Sequence, residues 1–373
     1  MEPFKNVFSA ELVTCFANHL QQHLAGFDRE RFEQAILPQL ETLELKGRAQ
    51  LLSDQIYAVL PVNQSERHAV LYALLHPEEF DNEGGSSDEK GIRGWGIFPL
   101  TLLVGQYELK NFEASMMLLK AMTKRFTSEF GIRYLLLEDQ GKALAILEQW
   151  LDDPNHHVRR LISEGTRPRL PWGQQLPQLI ADPAPMLPLL EALRADSEEY
   201  VRRSVANHLN DIAKDHPDLI AQLANEWMVG ADKQRERLVR HACRSLIKQG
   251  HPLALKAFGV EEPQLEVTGL QLTPDVVKLG SPATITAELH STSDKEQTIV
   301  IDYLLHLKKA NGKLAPKVFK GSKTVLAAGQ TYCFKKNHTI KAITTRRYYA
   351  GEQGVSLRIN GQDYGYVAFE LLM

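Results

Sequence analysis

Two glutamates and a tryptophan have surroundings that suit chemistry. Glu164 lies in HVRRLISEGTRPRLPWG, flanked by Arg160 and Arg167. A carboxylate among guanidinium groups is either a surface i, i+4 ion pair contributing about a few tenths of a kcal/mol, or a charge inside an anion-binding groove. Pro168 and Pro171 stop the helix near Thr166 and hold an extended segment that presents Arg167, Arg169 and Trp172. Trp172 then offers a platform for a sugar or a base; the competing reading is a plug in the core between helices. Glu129 falls among Phe126, Phe130 and Tyr134, which recur at helical spacing as packing residues. It either pairs with Arg125 or Arg133, or is aimed into the same groove.

Such residues need elements that hold them. Three segments align: DDPNHHVRRLISEGTRPR, ADSEEYVRRSVANHLND and ADKQRERLVRHACRSLIK. Their anchoring valines, Val158, Val201 and Val239, are 43 and 38 residues apart, an interval typical of HEAT-type helix pairs. Asp153-Pro154 reads as the cap and first position of one helix. Val201, Val205, Leu209 and Ile212 form one apolar stripe and leave Arg203 on another face; Arg237, Arg240, Arg244 and Lys248 gather opposite Val239, Cys243 and Leu246. Six residues past each valine stand Glu164, Asn207 and Ser245, so only the first repeat has a carboxylate there. Stacked repeats would line a groove with guanidinium groups, the chemistry that grips phosphates; the alternative is that each arginine pairs with a neighbouring acid.

The chain has 373 residues with 43 Lys+Arg against 46 Asp+Glu, and a net charge of −3 speaks against a nucleic-acid binder. Resolved by segment, the balance is −9 over 1–157, +2 over 158–248, −1 over 249–263 and +5 over 264–373, which reopens that reading. Helical periodicity runs to about residue 260. Beyond it, segments such as PATITAELH, TIVIDYLLHL and GVSLRIN alternate with turn signals such as ANGK and NGQD. The expected fold class is an all-α HEAT-like helical solenoid (1–263) followed by a smaller all-β immunoglobulin-like sandwich of about seven strands (264–373), the latter an accessory DNA contact. The acidic, Gly/Ser-rich stretch 78–91 should be a mobile loop. Cys15, Cys243 and Cys333 lie too far apart for a CxxC metal site, and His19 and His23 lack the Glu of HExxH. Gly91, Gly94 and Gly96 make a weak nucleotide motif, and the lysines from Lys308 to Lys323 form either a solvated hairpin or a DNA contact. With no apolar run long enough for a membrane span and no leader pattern, the expectation is a soluble, cytoplasmic monomer without metal or cofactor.

KRFTSEFGIR, HVRRLISEGTRPRLPWG and EYVRRSVANHLNDIAKDHP, with LETLELKGRAQ at 40–50, resemble the AlkC type of bacterial DNA alkylation-repair glycosylases. One branch of that family adds a C-terminal immunoglobulin-like domain, as residues 264–373 suggest. The resemblance implies hydrolysis of the N-glycosidic bond of cationic bases, N3-methyladenine and N3-methylcytosine, in double-stranded DNA, without a base-flipping pocket. It implies that Glu164 and Glu129 are catalytic, that Trp172 contacts the lesion, and that Arg160, Arg167 and Arg169 hold nearby backbone. Arg203, Arg240 and Arg244 extend the expected DNA-binding surface. The related AlkD-type enzymes use two tryptophans, of which only Trp172 has an evident counterpart here. The alternative is a non-catalytic helical-repeat protein that binds damaged or branched DNA; a third reading is a scaffold for protein partners.

Overall fold

Apolar residues recurring at helical spacing form sixteen α-helices among the described residues, from Ala10–His23 to Pro252–Lys256. The computed structural model describes residues 3–79, 85–343 and 346–373. The chain forms two compact units, residues 1–215 and 216–373.

In the first unit the helix Ile97–Tyr107 is buried from Ile97 through Gly105, so the most apolar stretch of the sequence is a core helix. The turn that carries Glu129 lies close against it. A Cβ at Gly131 would sit 2.2 Å from the Thr101 carbonyl oxygen, so only glycine permits this approach. The helix His156–Gly165 packs on the helix Glu199–Ile212 through Val158, Leu161 and Ile162 on one side and Val201, Val205 and Leu209 on the other, all buried. Its start is displaced from the expected Asp153-Pro154. Asn155 is the cap, accepting from the His157 amide at 2.9 Å, while Asp153 accepts from the Asn155 amide at 2.9 Å and pairs with Lys120 at 2.7 Å.

The second unit begins with the helices Pro217–Met228, Lys233–Ala242, Arg244–Gln249 and Pro252–Lys256. Eight strands follow: β1 (Leu265–Thr273), β2 (Val276–Lys278), β3 (Pro282–Ser291), β4 (Gln297–Lys308), β5 (Leu314–Leu326), β6 (Thr331–Thr339), β7 (Gly351–Ile359) and β8 (Gln362–Leu372). They make a three-stranded sheet, β1-β3-β6, and a five-stranded sheet, β2-β8-β7-β4-β5, antiparallel except where β2 runs parallel to β8. Ile285, Leu289 and Phe334 from one sheet and Ile299, Ile301, Val355 and Leu357 from the other fill the shared core.

The expected fold class therefore needs correction. The three aligned segments do not make one series of equivalent helices, and the β-region is not a compact unit by itself. The first two segments are single helices of the first unit, whereas the third belongs to the second unit and is broken at Cys243 into two short helices. The helices after His216 group with the strands because Asn360 donates to the Glu261 carbonyl at 2.8 Å and Arg358 to the Gln249 carbonyl at 3.3 Å. What the chain has is a helical region of about 250 residues followed by an all-β region of two sheets. The change from helix to strand falls between Lys256 and Leu265, whereas the compact units part after Asp215, so a division at 263 and 264 follows secondary structure rather than compactness.

Of the expected loop 78–91, residues 80–84 lie outside the described residues. Residues 85–91 are anchored: the Asp88 carbonyl accepts from His19 Nε2 at 2.8 Å, and Ser87 Oγ donates to the Arg93 carbonyl at 2.9 Å. Among the described residues no cluster of three or more His, Cys, Asp or Glu is placed to hold a metal, and no helix is long and apolar enough to cross a membrane.

Candidate active site

Glu164 sits at the C-terminal end of the helix His156–Gly165, where the helix dipole disfavours an anion. It is 5% exposed, yet three side chains hold it charged. Arg167 Nη1 donates to Oε1 at 2.7 Å, Ser204 Oγ donates to Oε2 at 2.7 Å, and Arg160 Nη2 stands 3.6 Å from Oε1. Burial by itself pushes the Glu164 carboxyl up; the charges of Arg160 and Arg167 and the bonds from Ser204 and Arg167 outweigh it and hold the group below the usual range. Its proton is gone at neutral pH.

Glu129 reaches the same place from the turn before the helix Ile132–Glu138. Its Oε2 accepts from Thr127 Oγ1 at 2.9 Å and from Arg160 Nη1 at 2.8 Å, and its Oε1 has no hydrogen bond among the described residues. Arg160 thus bridges both glutamates, with its guanidinium 4.8 Å from the centre of the Tyr200 ring. Arg167 bridges Glu164 to the buried Asp211, donating to the latter from Nε at 2.8 Å. Arg160 and Arg167, expected at the DNA backbone, are both nearly buried and paired with carboxylates of the protein itself.

Trp172 is 65% exposed, which excludes the reading as a core plug. Its φ of 66° is left-handed, a conformation that costs a bulky residue roughly 1–2 kcal/mol and must be imposed by neighbours. Lys46 Nζ donates to its carbonyl oxygen. Arg133, fully buried, clasps both ends of the loop by donating to the Gly165 carbonyl at 2.8 Å and the Gln174 carbonyl at 2.5 Å. Burial, then the nearby Arg167 charge, bring the Arg133 guanidinium down to about 10.

Glu129, Glu164 and Trp172 line one cleft of about 340 Å³. Its remaining wall is largely aromatic, from Trp95, Phe98, Phe126 and Phe130. Sequence reasoning missed Trp95, which stands between Gly94 and Gly96 with no local signal that ties it to the glutamates. The Trp95 ring lies 4.8 Å from Phe126 and edge-on to Phe4 at 5.0 Å, which fixes it in the wall. Ser204, Asp211 and Lys46 were missed as well, since nothing local in the sequence pairs them with the site.

The remaining arginines are not in this cleft. Arg169 is held by Asp215 through two bonds of 2.8 Å, and Arg203 is exposed with no ion pair among the described residues. Arg240 and Arg244 belong to the second unit, the former paired with Glu236 at 3.3 Å and the latter donating to the His241 carbonyl at 2.7 Å.

Residues 266–373 match the family described as the C-terminal Ig-like domain of the uncharacterised protein YhaZ. Over 364 residues, 97% of each chain, the sequence is 35% identical to the uncharacterized protein YhaZ of Bacillus subtilis (strain 168). Over the full length of both chains the fold superposes with a TM-score of 0.80, at 34% identity, on the Pseudomonas fluorescens alkylpurine DNA glycosylase AlkC bound to DNA containing an abasic site analog.

Proposed function

This chain belongs to the AlkC family, in the branch with a C-terminal immunoglobulin-like domain, and from that premise we propose that it is a monofunctional DNA glycosylase. Its substrates are cationic alkylated bases in duplex DNA, N3-methyladenine and N3-methylcytosine among them. The observation that carries this reading is a pair of carboxylates, one of them held below the usual carboxylate range by its partners, lining an aromatic cleft.

A base alkylated at N3 already bears positive charge and leaves as a neutral molecule, so no general acid is required. Positive charge develops instead on the deoxyribose, as in glycoside hydrolysis. Glu164 has both oxygens bound and a depressed proton affinity, which makes it a poor base and a good fixed counter-charge. Glu129 keeps Oε1 available, and it orients the attacking water and receives its proton. Arg160, bonded to both, sets their spacing. Trp95 and Trp172 offer apolar faces to the sugar and exclude bulk solvent, and the lesion reacts without being swung into a pocket. Arg203 is the side chain best suited to meet a flanking phosphate, and Arg169 would exchange Asp215 for one.

Incubation with methylated duplex DNA, with released bases measured against the spontaneous rate, tests the reading. Release that depends on Glu164 supports it. Tight DNA binding with no release above background would instead favour the non-catalytic alternative.

A further inference from the structure

A second cleft, of about 570 Å³, lies wholly within residues 216–373. Six cations line it, Arg240, Arg244, Lys248, Lys320, Lys323 and Arg358, against one carboxylate, Asp302. Lys248, Lys320 and Lys323 have no ion-pair partner among the described residues, whereas Arg358 is held by Asp363 at 2.6 and 2.9 Å. The floor is apolar, made by Phe258, Val300 and Val318, and the Arg240 guanidinium rests 4.4 Å from the Phe258 ring centre. Asp302 faces Lys320 across the β4–β5 pair and Arg358 across the β4–β7 pair.

This cleft is preformed. The helix Arg244–Gln249 ends at Gly250 (φ +77°), which abuts Gly361 (φ +90°) of the β7–β8 turn. A Cβ on Gly250 would lie 2.2 Å from the Gly361 backbone, and one on Gly361 would lie 2.1 Å from the Gly250 carbonyl, so the two walls meet where only glycine fits. A volume of this size falls within the roughly 300–1,000 Å³ of small-molecule sites, and unpaired cations above an apolar floor suit a ligand with a charged end and a flat apolar end.

We propose that this cleft binds a small phosphorylated ligand of the mononucleotide class. Lys248, Lys320 and Lys323 take the phosphate, the floor around Phe258 takes the base, and Asp302 offers an acceptor to a ring N–H or exocyclic amine. A duplex presents its phosphates on a convex surface and has no group to fill the apolar floor, so the concave shape favours the small ligand.

Isothermal titration calorimetry on the full-length chain decides the matter, with deoxyadenosine monophosphate, inorganic phosphate and lesion-free duplex DNA as separate titrants. The nucleotide should bind with a Kd of about 10–100 µM, at least about tenfold more tightly than inorganic phosphate. The double variant Lys248→Glu, Lys320→Glu should weaken the nucleotide by about tenfold or more with an unchanged melting temperature, since both side chains are exposed. No nucleotide heat up to millimolar concentration, equal affinity for bare phosphate, or binding unchanged in the double variant would each overturn the proposal. Duplex affinity that falls in the double variant while the nucleotide gives no heat would do so too, leaving the cleft as a backbone contact. Because this test involves no excision, its failure is separable from failure of the glycosylase reading.

Discussion

The two clefts use the same residue type in opposite ways. In the first unit Arg160 and Arg167 are nearly buried and each pairs with two carboxylates, so their charge is matched internally and the cleft sets Glu129 and Glu164 beside aromatic rings. In the second unit the cations outnumber the single acid of the cleft, and Lys248, Lys320 and Lys323 make no ion pair among the described residues. The first arrangement attracts a positive centre, the second an anion. Counting arginines therefore says little about a surface until their partners are known.

The largest expected effect tests the negative side of this contrast. Glu164→Gln keeps size and most hydrogen bonds but removes the charge, and base release should fall by about 10²-fold or more while DNA affinity is retained. An unchanged rate would transfer the electrostatic role to Glu129.

The next effect separates the buried network from the catalytic charge by pH. His208 donates from Nδ1 to the Ser163 carbonyl at 2.8 Å, and burial drives it down to about 4 from an ordinary 6.5. Being depressed in the folded state, it takes up a proton more readily when unfolded. Stability is thus intact above pH 6.5 and declines as pH falls to about 4, by on the order of 3 kcal/mol. The Glu164 contribution, depressed from an ordinary 4.5, is lost only below that value, so above 4.5 the pH dependence belongs to His208 and not to Glu164. Urea unfolding between pH 7 and 5 should slope downward in the native protein and flatten in His208→Gln; equal slopes would remove His208 from the account.

Ser204→Ala is expected to act more mildly. It removes one bond to Glu164 Oε2, and the charged bond lost corresponds to about 1.5–3 kcal/mol, so kcat should fall about tenfold and the acid limb of the rate profile should move to higher pH. A fall in rate without that movement would mean general loosening of the site.

The smallest effect concerns the exposed surface. Arg203→Ala should reduce the slope of log binding constant against log salt by about 0.9 with little change in kcat. Arg160→Ala, by contrast, should leave that slope nearly unchanged and lower kcat, because its partners are Glu129 and Glu164.

Much of the architecture was legible from local pattern. Helical periodicity up to about residue 260, the switch to alternating strands, and the Pro-stiffened segment carrying Trp172 all depend on neighbours a few residues away. The gathering of Glu129, Glu164 and Trp172 around one cleft was anticipated through resemblance to a family rather than through spacing. The uniform solenoid was not correct, because a recurring valine spacing of 43 and 38 residues does not say which neighbours a helix packs against.

What the amino-acid sequence determined by itself was therefore the order of elements, the stop of the helix after Glu164, and the presence of carboxylate, arginine and tryptophan in one short segment. Only the tertiary structure decided what those groups do. Arg167 meets Asp211 across 44 residues, Ser204 meets Glu164 across 40, and Arg160 meets Glu129 across 31. The physical reason is one of range. Helix propensity and proline sterics act within a turn or two, whereas the charge state of a buried carboxylate is set by donors that arrive from separate helices once these have packed.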